Sequence, residues 1–148
     1  MTLQDKPIPL NILLADDDAD DRLFFVNALK VIPIDTHLIA VHDGEQLMDY
    51  LGDSSNKLPD ILFLDLSMPR KTGFECLTEI KENVKLKDIP VIVFTTSFVR
   101  GIEFEQSLIN TLSKIGALEY IRKPGDFEQL KLIIHNALIK VIQKASVN

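Results

Sequence analysis

The stretch that decides the fold is Ile61-Leu62-Phe63-Leu64-Asp65-Leu66-Ser67-Met68-Pro69. Four apolar residues, without any alternation of apolar and polar positions, lead directly into one carboxylate. Such a run is typical of a strand that is covered on both faces, as in a parallel sheet. Asp65 then lies where the strand leaves the sheet, which is where ligands gather in open parallel α/β sheets. Because Asp is also a favoured turn residue, Asp65 alone leaves a turn cap as an alternative.

The length and composition suit one domain. The chain has 148 residues, of which 46% are hydrophobic, which is enough for a core. No apolar run is long enough to span a membrane, and the N-terminus has no signal-peptide pattern. The single Cys76 excludes an internal disulfide and fits a reducing compartment. We therefore expect a cytoplasmic protein without a membrane segment, and the net charge of −6 argues against direct nucleic-acid binding.

Strands and helices alternate five times after a loose lead-in over residues 1–9. Apolar runs predict strands at 10–15, 36–41, 61–64, 91–94 and 118–122. Apolar residues at helical spacing follow each strand, and Cys76 lies off the third stripe, which we interpret as ordinary packing. The stripes are Phe25, Ala28, Leu29 and Ile32; Leu47, Tyr50 and Leu51; Phe74, Leu77, Ile80 and Val84; Leu108, Leu112 and Ile115; and Phe127, Leu130, Ile134, Ala137 or Leu138, and Val141. The alternation predicts an α/β fold with a doubly wound, five-stranded parallel sheet.

Four of the five predicted strands end in groups that can do chemistry: Asp16 and Asp17, Asp65, Thr95, and Lys123. In a sheet of order 2-1-3-4-5 these four ends lie side by side on one edge. Converging carboxylates repel one another, and a divalent cation relieves that repulsion. Oxygen ligands without His or Cys favour Mg²⁺ over zinc. A lysine and a hydroxyl could bind a phosphoryl group, and its transfer to Asp would give an acyl phosphate.

Each of these groups also has an ordinary structural explanation. Acidic residues are favourable at a helix N-terminus, which explains Asp18, Asp20 and Asp21 well. It explains Asp16 and Asp17 less well, because they come directly off the strand. A Thr after a strand is usually a cap, and a Lys-Pro pair is usually a turn. Their joint placement at the ends of predicted strands favours the functional interpretation.

In these motifs the sequence resembles the receiver domain of two-component response regulators, which has a CheY-like, flavodoxin-like fold. The resemblance extends from about Leu10 to Val141 and implies one receiver domain over 1–148, with a core of about 10–142 and flexible ends at 1–9 and 143–148. The motifs that carry it are Leu13-Leu14-Ala15-Asp16-Asp17, Leu64-Asp65-Leu66-Ser67-Met68-Pro69 with Gly73, Val93-Phe94-Thr95, and Tyr120-Ile121-Arg122-Lys123-Pro124.

The resemblance implies a phosphoacceptor and a metal site. Asp65 would accept a phosphoryl group from a sensor histidine kinase or a histidine phosphotransfer protein. Asp17 and Asp65 would ligate Mg²⁺ together with the Ser67 backbone carbonyl, and Asp16 would help through water. The protein would then catalyse only its own phosphorylation and dephosphorylation and would otherwise not be an enzyme.

The resemblance also implies a switch. Lys123 would pair with the phosphoryl group, and Thr95 would turn inward to bond it. Tyr120 would be the aromatic residue whose burial follows Thr95, and the surface of the fourth helix, fifth strand and fifth helix would change. The peptide bond between Lys123 and Pro124 would be cis.

Three features depart from typical members or bear on partners. The segment from Thr95 to Lys123 is longer than usual, and we expect its residues between Phe98 and Gln106 to shape partner choice. The sequence ends soon after the predicted fifth helix, so we expect no attached output domain and instead a downstream protein, an onward phosphorelay or a homodimer. On that helix an apolar set lies off the predicted buried stripe, which indicates either an exposed binding patch or broader burial. That set is Leu132, Ile139 and Ile142.

Two competing functions share this fold. A pseudo-receiver would bind partners without phosphorylation, and a missing acid, Thr or Lys would favour it, but none is missing. A Mg²⁺-dependent phosphohydrolase with an Asp nucleophile usually needs a second acid just after the nucleophile and a substrate-covering cap. Position 67 is Ser, and no insertion of cap size is present.

Overall fold

The five predicted strand–helix units are all present in the computed structural model, which describes residues 9–96 and 102–147. The strands pair in parallel in the order β2-β1-β3-β4-β5, which confirms the predicted doubly wound α/β fold. The strands are β1 Leu10–Ala15, β2 Thr36–Val41, β3 Ile61–Leu64, β4 Val91–Thr95 and β5 Glu119–Arg122, and the helices are α1 Ala19–Val31, α2 Gly44–Gly52, α3 Gly73–Glu82, α4 Ile102–Ile115 and α5 Phe127–Val147.

The central strand β3 supplies both faces of the core, as its uniform apolar run predicts. Leu62 and Leu64 pack in the layer of α2, α3 and α4, whereas Ile61 and Phe63 pack in the layer of α1 and α5. All four side chains are fully buried. Successive side chains of a strand point to opposite faces, so a strand covered on both sides must be apolar throughout. The central position of β3 therefore fixes where the chain delivers Asp65.

The helix starts follow from local side-chain chemistry. The Asp18 carboxylate accepts hydrogen bonds from two backbone N–H groups in the first turn of α1, and the Asp43 carboxylate accepts one, from Gln46, at the start of α2. Thr72 and Glu75 form a reciprocal capping box at the start of α3. These caps satisfy N–H groups that have no partner inside the helix. Directly after the last residue of α4, Gly116 has a φ of +130°, a backbone conformation that favours glycine at a helix C-terminus.

The predicted stripe of α3 is wrong at one end. Val84 lies beyond the helix, which ends at Glu82, and its side chain is 81% exposed. Cys76, which we placed off the stripe, is fully buried against the core and contacts the backbone oxygen of Gly44. The helix is shorter than the apolar pattern indicates. Its buried face centres on Cys76, Leu77 and Ile80. The interpretation of Cys76 as a packing residue agrees with this position.

The apolar set on α5 divides between core and surface. Ile142 is buried with the α1 layer, which favours the broader-burial alternative at this position over an exposed patch. Leu132 is about half exposed, Ile139 is partly buried, and Phe127 is more exposed than its place on the predicted stripe indicates. The buried face of α5 is wider than one stripe because the helix packs on α1 as well as on the sheet.

The ends of the chain are described only in part. Residues 1–8, 97–101 and 148 lie outside the described residues, and 97–101 include part of the segment between Phe98 and Gln106 that we expect to shape partner choice. The α5 helix continues to Val147, past the core boundary expected at 142. No helix in the described part of the chain is long and apolar enough to cross a membrane.

Gly44 gives the first test of the fold. A Cβ atom at this position would lie 2.0 Å from the backbone oxygen of Lys71, because the start of α2 packs directly on the loop before α3. We expect Gly44→Ala to lower the free energy of unfolding by about 2 kcal/mol or more, the range of overpacked sites. Urea denaturation measures this change.

Gly52 provides the matched control in the same helix. Its added Cβ meets nothing within 4 Å. Gly52→Ala should leave stability unchanged or raise it by up to about 1 kcal/mol, because Ala restricts the unfolded chain. Equal stabilities for the two variants would contradict the packing described for Gly44.

Candidate functional site

The carboxyl ends of four neighbouring strands bring the predicted residues together. Asp16 follows β1, Asp65 follows β3, Thr95 ends β4, and Lys123 follows β5. The residues Asp16, Asp65 and Thr95 are 1%, 4% and 0% exposed, although each is polar. Buried polar groups persist only when they are paired. All buried side-chain N and O atoms in the described residues have a hydrogen-bond partner.

The ammonium group of Lys123 lies at the centre of the site. Its Nζ is 2.6 Å from Asp16 Oδ2, 2.8 Å from Asp21 Oδ2 and 3.3 Å from Asp65 Oδ2, while the side chain is only 8% exposed. Burial lowers the pKa of Lys123, but hydrogen bonds to Asp16 and Asp21 and the charge on Asp65 outweigh it, so the pKa is raised. Lys123 is therefore a permanent cation among carboxylates.

The second oxygen of Asp65 has different partners. Asp65 Oδ1 accepts hydrogen bonds from the Thr95 hydroxyl at 2.8 Å and from the Ser67 backbone N–H at 3.1 Å. Gly73 closes the loop behind this carboxylate. Its N–H donates to the backbone oxygen of Leu66, and a Cβ at Gly73 would lie 2.3 Å from the backbone oxygen of Asp65. The carboxylate is thus oriented by donors on one oxygen and by a cation on the other.

Three acids at this edge can hold a metal ion. Oxygen atoms of Asp16, Asp17 and Asp65 all lie within 4.8 Å of one another. Burial raises the pKa of Asp16 to about 6, because it outweighs the hydrogen bonds from Lys123 and the Asp18 backbone. A carboxylate whose ionised form is disfavoured gains from a nearby cation, and an all-oxygen donor set suits Mg²⁺. The residues present therefore fit a hard divalent cation.

Tyr120, the predicted switch residue, is tied to α4. Its hydroxyl donates to Glu105 Oε2 at 3.2 Å, and Arg122 contacts the same carboxylate through Nε at 3.1 Å and Nη2 at 2.5 Å. Arg122 holds the pKa of Glu105 below its usual range. The ring of Tyr120 packs against the core layer that contains α4. This contact joins β5 to the first turn of α4.

Two of these residues were missed from the sequence. Asp21 is explained as a helix N-terminal acid, so nothing in the pattern pointed to Lys123, which is 102 positions away. Glu105 lies in the first turn of α4, and a charged residue at a helix start carries no distinct signal in the sequence. The positions of Asp21 and Glu105 relative to Asp17 and Thr95 become informative only when the first residues of α1 and α4 are known.

The predicted site residues divide into three groups. Asp16, Asp17, Asp65, Thr95 and Lys123 lie together as expected. Ser67 contributes its backbone N–H to Asp65, and the proposed use of its carbonyl stays a prediction. The cis geometry before Pro124 also stays a prediction.

Comparison with known proteins agrees with this geometry. The family model of the response regulator receiver domain matches residues 12–135. Response regulator Rcp1 from Synechocystis is 42% identical over 101 residues, which cover 66% of this chain and 68% of Rcp1. The crystal structure of Mn²⁺-bound Rcp1 superposes with a TM-score of 0.75 at 31% identity and covers 86% of this chain and 91% of that one. The crystal structure of the phosphorylated cyanobacterial phytochrome response regulator RcpA also superposes with a TM-score of 0.75, at 32% identity, and covers 86% of this chain and 90% of that one.

The parallel sheet with acids, a hydroxyl and a lysine at its carboxyl edge defines a receiver module of two-component signalling. This chain belongs to the response regulator receiver domain family.

The raised pKa of Asp16 makes stability depend on pH. The folded protein holds a proton on Asp16 more tightly than the unfolded chain, so stability falls as the pH rises from 3.8 towards 6 and stays lower above that. In buffer with EDTA, Asp16→Asn should remove this fall. The variant should be more stable than wild type above pH 6 by on the order of 3 kcal/mol and differ little below pH 3.8.

Urea denaturation at several pH values measures this profile. The control is Asp49→Asn, which removes an exposed carboxylate of α2. It should keep the wild-type profile. If Asp16→Asn raised the free energy of unfolding by the same amount at every pH, the raised pKa of Asp16 would not be the cause of the pH dependence.

Proposed function

We propose that Asp65 accepts a phosphoryl group and that the protein signals by the conformational change that follows. The observation that carries this proposal is the environment of one buried carboxylate, with the Lys123 ammonium at one oxygen and the Thr95 hydroxyl at the other. An aspartate used only to cap a turn needs neither partner. The Lys123 ammonium and the Thr95 hydroxyl both donate hydrogen bonds, and a phosphoryl group attached to Asp65 would offer them acceptor oxygens of higher negative charge.

The reaction follows from the positions of these groups. A carboxylate oxygen of Asp65 attacks the phosphorus of a phosphohistidine in line with the P–N bond. The O–P bond forms as the P–N bond breaks, and the leaving imidazole takes a proton. Lys123 neutralises charge on the phosphoryl oxygens, and catalysis is mostly positioning and charge neutralisation. Hydrolysis of the acyl phosphate later restores Asp65.

Asp17 and Asp65 would hold Mg²⁺ directly, with the Ser67 carbonyl as a further ligand. Asp16, whose oxygens accept hydrogen bonds from the Asp18 backbone and from Lys123, would help through water. When bound, Mg²⁺ supplies charge neutralisation and a template for the phosphoryl oxygens. The Mn²⁺-bound form of the similar Rcp1 and the phosphorylated form of the similar RcpA support this proposal.

The signal would pass from Thr95 to Tyr120. In the resting structure the Thr95 hydroxyl is engaged by Asp65 and the Tyr120 hydroxyl by Glu105. A phosphoryl group that draws Thr95 towards its oxygens would shift the end of β4, which pairs with β5, and Tyr120 would then leave Glu105 or carry α4 with it. Phosphorylation can do this only by binding one of two packings more tightly.

The partners proposed here are those that the receiver-domain family implies. The donor is a sensor histidine kinase or a histidine phosphotransfer protein, and the output is a downstream protein or a second copy of this chain that reads the surface of α4, β5 and α5. Leu132 is the exposed apolar residue that remains of the predicted α5 patch.

Intact-mass spectrometry tests the phosphoacceptor. With a small phosphodonor and Mg²⁺, wild type should gain one phosphoryl group, and Asp65→Asn should gain none because its amide is not a nucleophile. Asp49→Asn should label as wild type does. Labelling of Asp65→Asn would contradict the assignment, an unlabelled wild type would favour the pseudo-receiver, and steady phosphate release from a generic phosphomonoester would favour the phosphohydrolase.

The switch can be followed through the two tyrosines of the chain, Tyr50 and Tyr120. Protein labelled with 3-fluorotyrosine should give two ¹⁹F resonances, assigned with Tyr50→Phe. Addition of Mg²⁺ and beryllofluoride, an acyl-phosphate mimic, should shift the Tyr120 resonance and leave that of Tyr50 in place. Thr95→Ala should still bind the mimic but lose most of the Tyr120 shift.

The Thr95→Ala variant isolates coupling from binding, because it removes the hydroxyl and keeps Asp65 and Lys123. A full Tyr120 shift in this variant would show that the signal does not pass through Thr95.

A further inference from the structure

Asp21 contacts the site without belonging to a strand end. Its Oδ2 lies 2.8 Å from Lys123 Nζ, closer than Asp65 Oδ2 at 3.3 Å. The side chain comes from the first turn of α1, where Asp18 is the cap. The three protons of Lys123 thus meet three carboxylates, and the acceptor Asp65 has the longest of the three contacts.

Stabilisation of the helix start does not explain this contact. Asp20 lies in the same first turn, is exposed, and gives the same favourable charge near the N-terminus of α1. Of these two first-turn residues, only Asp21 directs its carboxylate to Lys123. The contact therefore has a role in the site rather than in the helix.

We propose that Asp21 is a positioning residue that holds Lys123 on the α1 side of the resting site and competes with the phosphoryl oxygens for it. This inference rests on the proposed phosphorylation of Asp65. It deepens that proposal by naming the residue that sets how readily Lys123 becomes available.

Exposure identifies the contact that gives way when Lys123 turns to a phosphoryl group. Asp16 has a side chain 2% exposed, and a buried carboxylate that loses its cation is costly. Asp21 has a side chain 31% exposed, so water can replace Lys123 there. The Asp21 contact is therefore the one that yields, and its strength opposes the phosphorylated state.

The affinity for beryllofluoride in Mg²⁺ tests this role. Bound and free beryllofluoride are measured by ¹⁹F NMR on the full chain. We expect Asp21→Asn to bind about threefold to tenfold more tightly than wild type, the range for a partly exposed charge-assisted contact. Asp21→Glu should return towards the wild-type affinity, because it restores the carboxylate.

Two further variants separate this role from general charge effects. Asp20→Asn removes the same charge from the same turn and should bind as wild type does. In a Lys123→Ala background, Asp21→Asn should give no further gain, because the effect acts through Lys123. A gain that persists without Lys123 would instead indicate direct repulsion of the mimic by Asp21.

Each outcome bears on a different claim. If wild type binds the mimic, Asp65→Asn does not, and Asp21→Asn equals wild type, the inference is wrong and the proposed function stands. An equal gain for Asp20→Asn also overturns the inference. If wild type does not bind the mimic, the proposed function fails and the inference fails with it.

Discussion

The site depends on one buried ammonium group. Lys123 lies within 3.3 Å of three carboxylates, two of which are nearly inaccessible to water. Without a cation these acids would repel one another in a region where water screens them poorly. Because the three acids come from α1 and the ends of β1 and β3, the same ammonium joins these elements to β5. The charge balance of the site is therefore also part of the tertiary structure.

The apolar core of the sheet supports a cluster of buried carboxylates that is electrostatically unfavourable by itself. Apolar side chains cover both faces of the sheet, and Phe25, Phe63 and Phe94 stack edge to face in the layer of α1 and α5. This core holds the strand ends at fixed spacing, so Asp16 remains buried although burial raises its pKa to about 6. Functional sites commonly keep such locally unfavourable groups, because their chemistry needs them.

Much of this could be predicted from sequence because parallel sheets obey strict rules. Uniform apolar runs locate the strands, and the strand order then brings Asp16, Asp65, Thr95 and Lys123 to one edge. Side-chain direction within helices could not be predicted in the same way. Asp21 and Asp20 look alike in the sequence, yet only one reaches Lys123. The burial of Ile142 was left open because the sequence does not say that α5 packs on a second helix.

The most direct test of the account is the stability of Lys123→Met with and without Mg²⁺. If Lys123 balances the carboxylates, the variant should lose about 3 kcal/mol of unfolding free energy in EDTA. It should recover most of that loss in Mg²⁺, because a second cation can then neutralise the same oxygens. Urea denaturation under both conditions gives the two values. A loss of equal size in EDTA and in Mg²⁺ would contradict the claim that charge balance at this edge holds the site together.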